Sequence, residues 1–171
     1  MQQQLQDIFA NVMGLSLTNT TRNELVQYFH FGSTHYTTPQ GLVLDVGEFT
    51  LALNCPWQLY LPDGSILKHD EVFQRKREAG LPAPGAPFDW KVPGANLRDQ
   101  RLKELVNKNE AMAPTRIEAG EHYSFSLFFS NGLHLTVTPD TSKPEDVYWQ
   151  LFSNTNQNIS LRAGKSGLTT E

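Results

Sequence analysis

The sequence predicts an α+β fold that is mainly antiparallel β, with about nine or ten strands in two sheets or one bent sheet. Apolar and polar residues alternate along most of the chain, which is the period of a β-strand. Two stretches, near 2–13 and 97–108, carry apolar residues at helical spacing instead. Turn residues such as Pro62-Asp63-Gly64 separate the alternating runs.

The first predicted element is an amphipathic helix near residues 2–13. Its apolar side chains recur every three or four positions and therefore share one face: Leu5, Ile8, Phe9, Val12 and Met13. Gly14 then ends the pattern. We expect this helix to pack on a sheet, and an arm that binds a partner is the alternative.

The strand predicted after residue 25 is apolar on both faces. Phe29 and Phe31 alternate with Tyr28, and all three are aromatic. The phenylalanines are assigned to a nominally outer face, as is Phe128 in a later strand. Exposed aromatic rings of this kind mark a contact surface, so an interface between copies of the chain is one prediction.

The next two alternating runs predict a hairpin with its turn at residues 46–47. This register pairs Leu44 with Phe49 and Leu42 with Leu51, and the two apolar faces then coincide. A slip of one residue would separate those faces. The apolar pattern therefore predicts two adjacent core strands here.

The segment Cys55-Pro56-Trp57 interrupts the alternation. Pro56 cannot donate a hydrogen bond to a sheet, so we expect a bend after Cys55. Cys55 is the sole cysteine and cannot form an internal disulfide. We interpret it as a small buried residue, and a catalytic thiol is the alternative.

Residues 70–95 form an irregular, proline-rich excursion between the β regions. Long irregular segments are often functional or mobile. A second amphipathic helix follows near 97–108, and Asn96 is placed to cap its first turn.

The C-terminal third is β again, and its turn can be derived from side-chain alternation. A three-residue loop, Ser130-Asn131-Gly132, sets Phe129 opposite Leu133, so that the apolar faces agree. Gly132 then occupies the left-handed position of the loop. Further strands are predicted near 147–151 and 159–161, and residues 163–171 are predicted to fray.

One tetrapeptide occurs twice with a conservative change. Trp57-Gln58-Leu59-Tyr60 recurs as 149–152, where phenylalanine replaces tyrosine. Each copy follows an alternating strand that ends at a proline. We therefore expect a single domain, 1–171, of two similar β-meander halves at about 15–69 and 111–162, joined by the excursion and a helix.

The predicted C-terminal hairpin places several polar side chains on one face. Its candidate ligand-binding residues are His122, His134, Ser124, Ser126 and Thr136. Two histidines among hydroxyls can supply an acid and a base or bind a small molecule. An ordinary solvated sheet face is the alternative. The spacing of the histidines matches no metal motif, and we expect neither a metal nor a cofactor.

The overall charge indicates which partners to expect. The formal net charge of −4 does not suggest the counterion-displacing lysines and arginines of nucleic-acid binding. The N-terminus lacks a basic, apolar signal, and no apolar run is long enough to span a bilayer. We expect a cytoplasmic protein that binds neither nucleic acid nor membrane, and that has a protein partner or forms a homo-oligomer.

Three segments carry a resemblance to a known group. They are Leu51-Ala-Leu-Asn-Cys-Pro-Trp-Gln-Leu59, Asn96-Leu-Arg-Asp-Gln-Arg-Leu102 and Tyr148-Trp-Gln-Leu-Phe152. Over roughly residues 41–152 the chain resembles a family of small uncharacterised bacterial proteins with a Cys-Pro-Trp segment and a final Trp strand. The resemblance implies a bacterial origin, and no catalytic residues can be carried over from it. In size and composition the chain also resembles immunity proteins of toxin systems.

The leading prediction from the sequence is a non-enzymatic bacterial binding protein, immunity-like or another protein-partner module. The alternative is a small-molecule-binding domain or hydrolase that uses the His122/His134 face.

Overall fold

The computed structural model describes residues 1–77, 87–108 and 110–170. Residues 78–86 of the predicted excursion lie outside the described residues. The helices are α1, Gln2–Phe9, and α2, Leu97–Asn107, and a 3₁₀ turn spans His69–Phe73. The strands of the described ranges are β1 Leu17–Asn23, β2 Val26–Phe31, β3 Thr34–Thr37, β4 Val43–Val46, β5 Phe49–Leu53, β6 Trp57–Tyr60, β7 Ile66–Lys68, β8 Pro114–Ala119, β9 Phe125–Phe129, β10 His134–Val137, β11 Trp149–Ser153, β12 Ser160–Gly164 and β13 Gly167–Thr170.

The strands form two large sheets and one small one. A six-stranded sheet has the order β1-β2-β5-β11-β12-β13, and a five-stranded sheet has the order β8-β9-β10-β6-β7. The strands β3 and β4 form a separate pair. The pairings between these strands are antiparallel. The predicted α+β, mainly antiparallel fold is confirmed, with more strands than expected.

The inner faces of the two large sheets meet in one aromatic core. The Phe29 ring lies edge-on to Trp57 with centroids 5.5 Å apart, and Phe31 stacks on Phe129 at 6.3 Å. Trp57 and Trp149 are both fully buried. Burying an apolar side chain of this size stabilises the fold by roughly 1.5–3 kcal/mol. The two related tetrapeptides are therefore core strands.

The prediction that Phe29 and Phe31 lie on an outer face is wrong. Both rings are buried between the sheets, and Tyr28 and His30 face outward instead. Alternation fixes which residues share a face, but not which face meets the core. Phe128 does lie on the outer face of the five-stranded sheet, where it is half-buried.

The predicted hairpin with its turn at residues 46–47 is also wrong. The strand β4 pairs with β3, so Leu44 lies opposite Tyr36. Leu51 of β5 instead pairs with Phe29 on one side and Leu151 on the other. The pairing of β5 with β11 joins distant parts of the chain, so local pattern matching could not find it.

Two local predictions are confirmed and two boundaries change. The amide of Phe129 bonds to the carbonyl of Leu133 across the predicted three-residue loop. The Asn96 side chain caps α2 by accepting a hydrogen bond from the Asp99 amide at 2.8 Å. The first helix ends earlier than predicted, at Phe9. Residues 163–171 were expected to fray, but β13 pairs there with β12.

The two large sheets correspond strand for strand. The strands β1, β2, β5, β6 and β7 are matched, in that order, with β8, β9, β10, β11 and β12. When each strand in the order β1-β2-β5-β11-β12 is replaced by its match, the result is β8-β9-β10-β6-β7, which is the order of the five-stranded sheet. We call these sets the first half and the second half. Each half places its fourth strand, which carries the Trp-Gln-Leu sequence, in the other half's sheet.

The correspondence extends to an irregularity in the first strand of each half. The registers shift at Thr18 in β1 and at Thr115 in β8. The two hydroxyls donate to matched carbonyls, those of His30 and Phe128. The helices are exchanged as well, because α1 contacts β8 and α2 contacts β1. Among the described residues, neither helix has the length and apolar character needed to cross a membrane.

Candidate functional site

Three of the five residues predicted from the sequence meet on the outer face of the five-stranded sheet. Ser126 and Thr136 are direct cross-strand neighbours, and His134 lies opposite Phe128. Each of these side chains is half-buried, since their strands alternate between core and solvent. The predicted hairpin face therefore exists at these positions.

The other two predicted residues lie beside this face. His122 and Ser124 belong to the turn that precedes β9. His122 is exposed and has a φ of 52°, and Tyr123 follows with a φ of 64°. Such left-handed conformations are uncommon for bulky residues. The indole N–H of Trp149 donates to the carbonyl of Tyr123 at 2.8 Å, which fixes the turn to the core.

The central feature of the face is a row of stacked rings. The His134 ring lies between Tyr60, at 4.2 Å and 6° from parallel, and Phe128, at 5.1 Å. The Arg116 guanidinium covers the other side of Phe128 at 4.0 Å. Neither the groove above His30 nor the groove between β1 and α2 is lined by the predicted residues, and the small-molecule or hydrolase role of this face stays a prediction.

A second polar cluster, not predicted from the sequence, lies on the outer face of the six-stranded sheet. His30 contacts Thr21 through Nε2 at 2.7 Å and Thr50 through Nδ1 at 3.0 Å. The Asn154 amide donates to the Thr50 hydroxyl at 2.8 Å. Burial lowers the pKa of His30, so the ring is neutral and has one donor and one acceptor nitrogen.

A groove of about 430 Å³ opens above His30, between the sheet and the base of the β3–β4 pair. Gly47 forms part of its wall, and a Cβ there would lie within 3.2 Å of the backbone nitrogen of Phe31. The Asn154 amide also donates to the Gly47 carbonyl at 2.8 Å. The groove offers hydroxyls and a neutral imidazole. Within the described ranges, no group of three or more His, Cys, Asp or Glu side chains is arranged to hold a metal ion.

The β3–β4 pair, residues 34–46, projects from this sheet, and we call it the arm. Among the described strands, β3 and β4 pair only with each other. One face of the arm carries Tyr36 opposite Leu44, and the other carries His35, whose Nδ1 lies 2.7 Å from a carboxylate oxygen of Asp45. Tyr36 and Leu44 are each nearly half-exposed, and Leu42 beside them is 64% exposed. The face of Tyr36, Leu42 and Leu44 is therefore apolar and meets solvent, while Val43, which is 65% exposed, lies on the other face beside His35.

The interior site near Cys55 is not built for nucleophilic chemistry. Burial raises the pKa of the Cys55 thiol to about 12, so the reactive thiolate is disfavoured. Arg98, which is 1% exposed, lies 5.6 Å from the Trp57 ring and donates to the carbonyl of His69 at 2.9 Å. Cys55 itself is half-buried and packs against the hydrophobic core, which supports its interpretation as a packing residue.

Comparison with known proteins found no matching family model, no matching curated protein and no matching solved structure. Inferences about function therefore rest on the geometry of this chain.

Proposed function

We propose that this chain is a non-enzymatic binding protein that holds a protein partner through the arm. The observation that carries the proposal is the exposed apolar face made by Tyr36, Leu42 and Leu44. An isolated two-stranded hairpin is only marginally stable in water. A partner that covers this face would supply the packing that the arm lacks on its own.

The second half of the chain provides an internal reference for this proposal. Its second and third strands are joined by the short loop Ser130-Asn131-Gly132. The matched strands of the first half, β2 and β5, are joined by residues 32–48, which contain the arm. Since a three-residue loop suffices to join strands in this register, the arm is an addition to the framework. Added segments on a rigid scaffold commonly carry binding residues.

The occupant that we propose is a different protein with an apolar cleft and a basic rim. The apolar face of the arm matches the cleft. The net charge of −4 favours a rim of opposite sign. An immunity-like module that holds a toxin belongs to this class of binding proteins.

Site-specific photo-crosslinking in the cells that produce the protein tests this proposal. A benzoylphenylalanine at position 36 replaces an aromatic residue of the arm that is 45% exposed, and the matched control at position 73 replaces Phe73, which is 54% exposed. We expect one adduct of defined mass from position 36 and none from position 73. Equal labelling at both positions, no adduct, or an adduct of twice the chain mass would contradict the proposal.

A double variant, Leu42→Ser with Leu44→Ser, separates binding from folding. Both side chains are largely exposed, so the free energy of unfolding should change by less than about 0.5 kcal/mol. The adduct from position 36 should disappear in this background. Its persistence would show that the apolar face does not carry the contact.

A further inference from the structure

The outermost strand of the second half has its exposed edge satisfied by a side-chain amide. Gln2 of α1 donates from Nε2 to the carbonyl of Ile117 at 3.1 Å and accepts at Oε1 from the amide of Ala119 at 2.6 Å. A neighbouring strand would make the same two bonds. Gln2 thereby takes the place of one residue of a neighbouring strand, whose own N–H and C=O point to the same side.

The matched edge in the first half has no such cap from its helix. The paired bulges align Ile117 with Thr20 and Ala119 with Arg22, so the carbonyl of Thr20 and the N–H of Arg22 face the edge of β1. The matched bulges at Thr18 and Thr115 lie 97 residues apart, and the same offset from Gln2 leads to Asp99 of α2. Its carboxylate binds the Arg22 guanidinium, with both oxygens 2.9 Å from Nε. It is a pure acceptor and cannot reproduce the two bonds of an amide.

A groove of about 640 Å³ lies where the cap is missing, between β1 and α2. Leu102 and Val106 of α2 give it an apolar wall. The exposed cations Lys91 and Lys103 also line it, together with the exposed anion Glu24 and the ion pair of Arg22 with Asp99. The groove therefore combines an open strand edge, an apolar wall and a small excess of positive charge.

Gln27 provides an independent indication of a ligand. This side chain lines the groove, yet it is only 2% exposed. Its Nε2 donates to the carbonyl of Thr21 at 2.7 Å, whereas its buried Oε1 has no hydrogen-bond partner among the described residues. A buried acceptor without a donor destabilises the fold, and a ligand that supplies the donor removes this cost. The matched residue of the second half is Phe125, whose side chain has no polar atom that needs a hydrogen bond.

We propose that this groove is a binding site for a short peptide-like ligand, which places a carboxamide against β1 as Gln2 does against β8. The ligand's amide N–H donates to the Thr20 carbonyl, and its carbonyl accepts from the Arg22 N–H. A second amide N–H of the ligand donates to Gln27 Oε1. The lysines at the groove favour an acidic group elsewhere in the ligand. The site lies apart from the arm and does not depend on the function proposed for it.

Amide NMR spectra of the full chain test the site with defined probes. The two donor-bearing probes are N-acetylalanine methylamide, which carries peptide groups, and propionamide, which carries a primary amide. N-acetylproline dimethylamide has carbonyls but no N–H and serves as the matched control. We expect saturable shifts of the Arg22 amide and the Gln27 side-chain amide with a donor-bearing probe, at millimolar dissociation constants. Equal shifts with the control probe, or no saturable shifts, would overturn the proposal.

Three variants test the assignment. Val106→Trp fills the groove, and we expect at least a tenfold loss of affinity. Gln27→Leu removes the orphan acceptor, keeps the side chain apolar in the core, and should weaken binding of the two-amide probe more than that of propionamide. Gln2→Ala uncovers the edge of β8 and should create a second set of shifts at the Ala119 amide. Unchanged affinity in both groove variants, or no response at Ala119, would contradict the proposal.

Discussion

The first and second halves share one strand order, yet they differ in the loops, outer faces and sheet edges that surround it. The second half joins its strands by a three-residue loop, stacks His134 and Phe128 on its outer face, and has its edge capped by Gln2. The first half has the arm, a hydrogen-bonded His30 and an uncapped groove. The arm and the uncapped groove, which carry the two proposed binding sites, both belong to the first half.

The outer faces show how far two matched positions can diverge. His134 corresponds to Thr50, and Phe128 corresponds to His30. In the second half this pair stacks, whereas in the first half it forms a hydrogen bond at 3.0 Å. The backbone register is shared, so the side chains alone decide whether a face presents rings or polar atoms.

The largest effect is expected from removing either core tryptophan, which tests whether the halves contribute equally to stability. Trp57→Ala and Trp149→Ala should each lower the free energy of unfolding by about 3–5 kcal/mol, because each empties a fully buried site. Urea denaturation followed by circular dichroism measures both values. Trp90→Ala, a half-buried tryptophan outside the sandwich, is the control and should cost clearly less. If one of the two core variants lost less than half as much free energy of unfolding as the other, one half would contribute more to stability than the other.

A smaller effect is expected from His30 and depends on pH. Burial lowers its pKa below the ordinary value of 6.5, so the unfolded chain takes up a proton more readily than the folded one. Stability is therefore complete above that value and falls as the pH drops through it toward the folded pKa. His30→Phe installs the residue found at the matched position, Phe128. We expect it to reduce the pH dependence by less than about 1 kcal/mol, because solvent screens a half-buried ring.

Urea unfolding of the wild type and His30→Phe at several pH values between about 7 and 5 checks this prediction. Burial also lowers the pKa of His69, which is present in both proteins, so the difference isolates His30. Identical slopes in the two proteins would contradict it.

The smallest effect is expected from replacing the arm with the loop of the other half. Ser-Asn-Gly in place of residues 32–48 would connect Phe31 to Phe49, as it connects Phe129 to Leu133. A shorter loop costs less entropy, by about 0.6 kcal/mol for each halving. The bonds from Asn154 to the base of the arm are lost, at about 1 kcal/mol each. These terms nearly cancel, so the free energy of unfolding should stay within about 1 kcal/mol of the wild type, and failure to fold would show that the arm belongs to the framework.

Local patterns in the sequence predicted the local parts of the fold. The loop at 130–132 followed from alternation and a glycine, and the cap of α2 followed from Asn96. The pairing of Leu51 with Leu151 has no local signal, since many sequence positions could satisfy a matching apolar face. The arm was misassigned for the same reason, because Leu42 and Leu44 have the pattern of a core strand but face solvent.

The candidate sites were predicted to a similar degree. Alternation alone placed His134, Ser126 and Thr136 on one face. The cluster around His30 was missed because its partners come from separate segments of the chain, and proximity between them follows only from the tertiary fold. The available signal was that His30 alternates with Phe29 and Phe31, which places it opposite the core. The unpartnered oxygen of Gln27 has no sequence signal at all.

The exchange of the Trp-Gln-Leu strands also constrains how the chain acquires its structure. Because β5 pairs with β11 and β10 pairs with β6, neither half can form a complete sheet from its own strands. Pairings of such high contact order form slowly. During synthesis the emerging first half must wait for β11 with an open strand edge. We therefore expect the two large sheets to form only after β11 has been synthesised, and two separately expressed halves to recover the native sheets only when they are mixed.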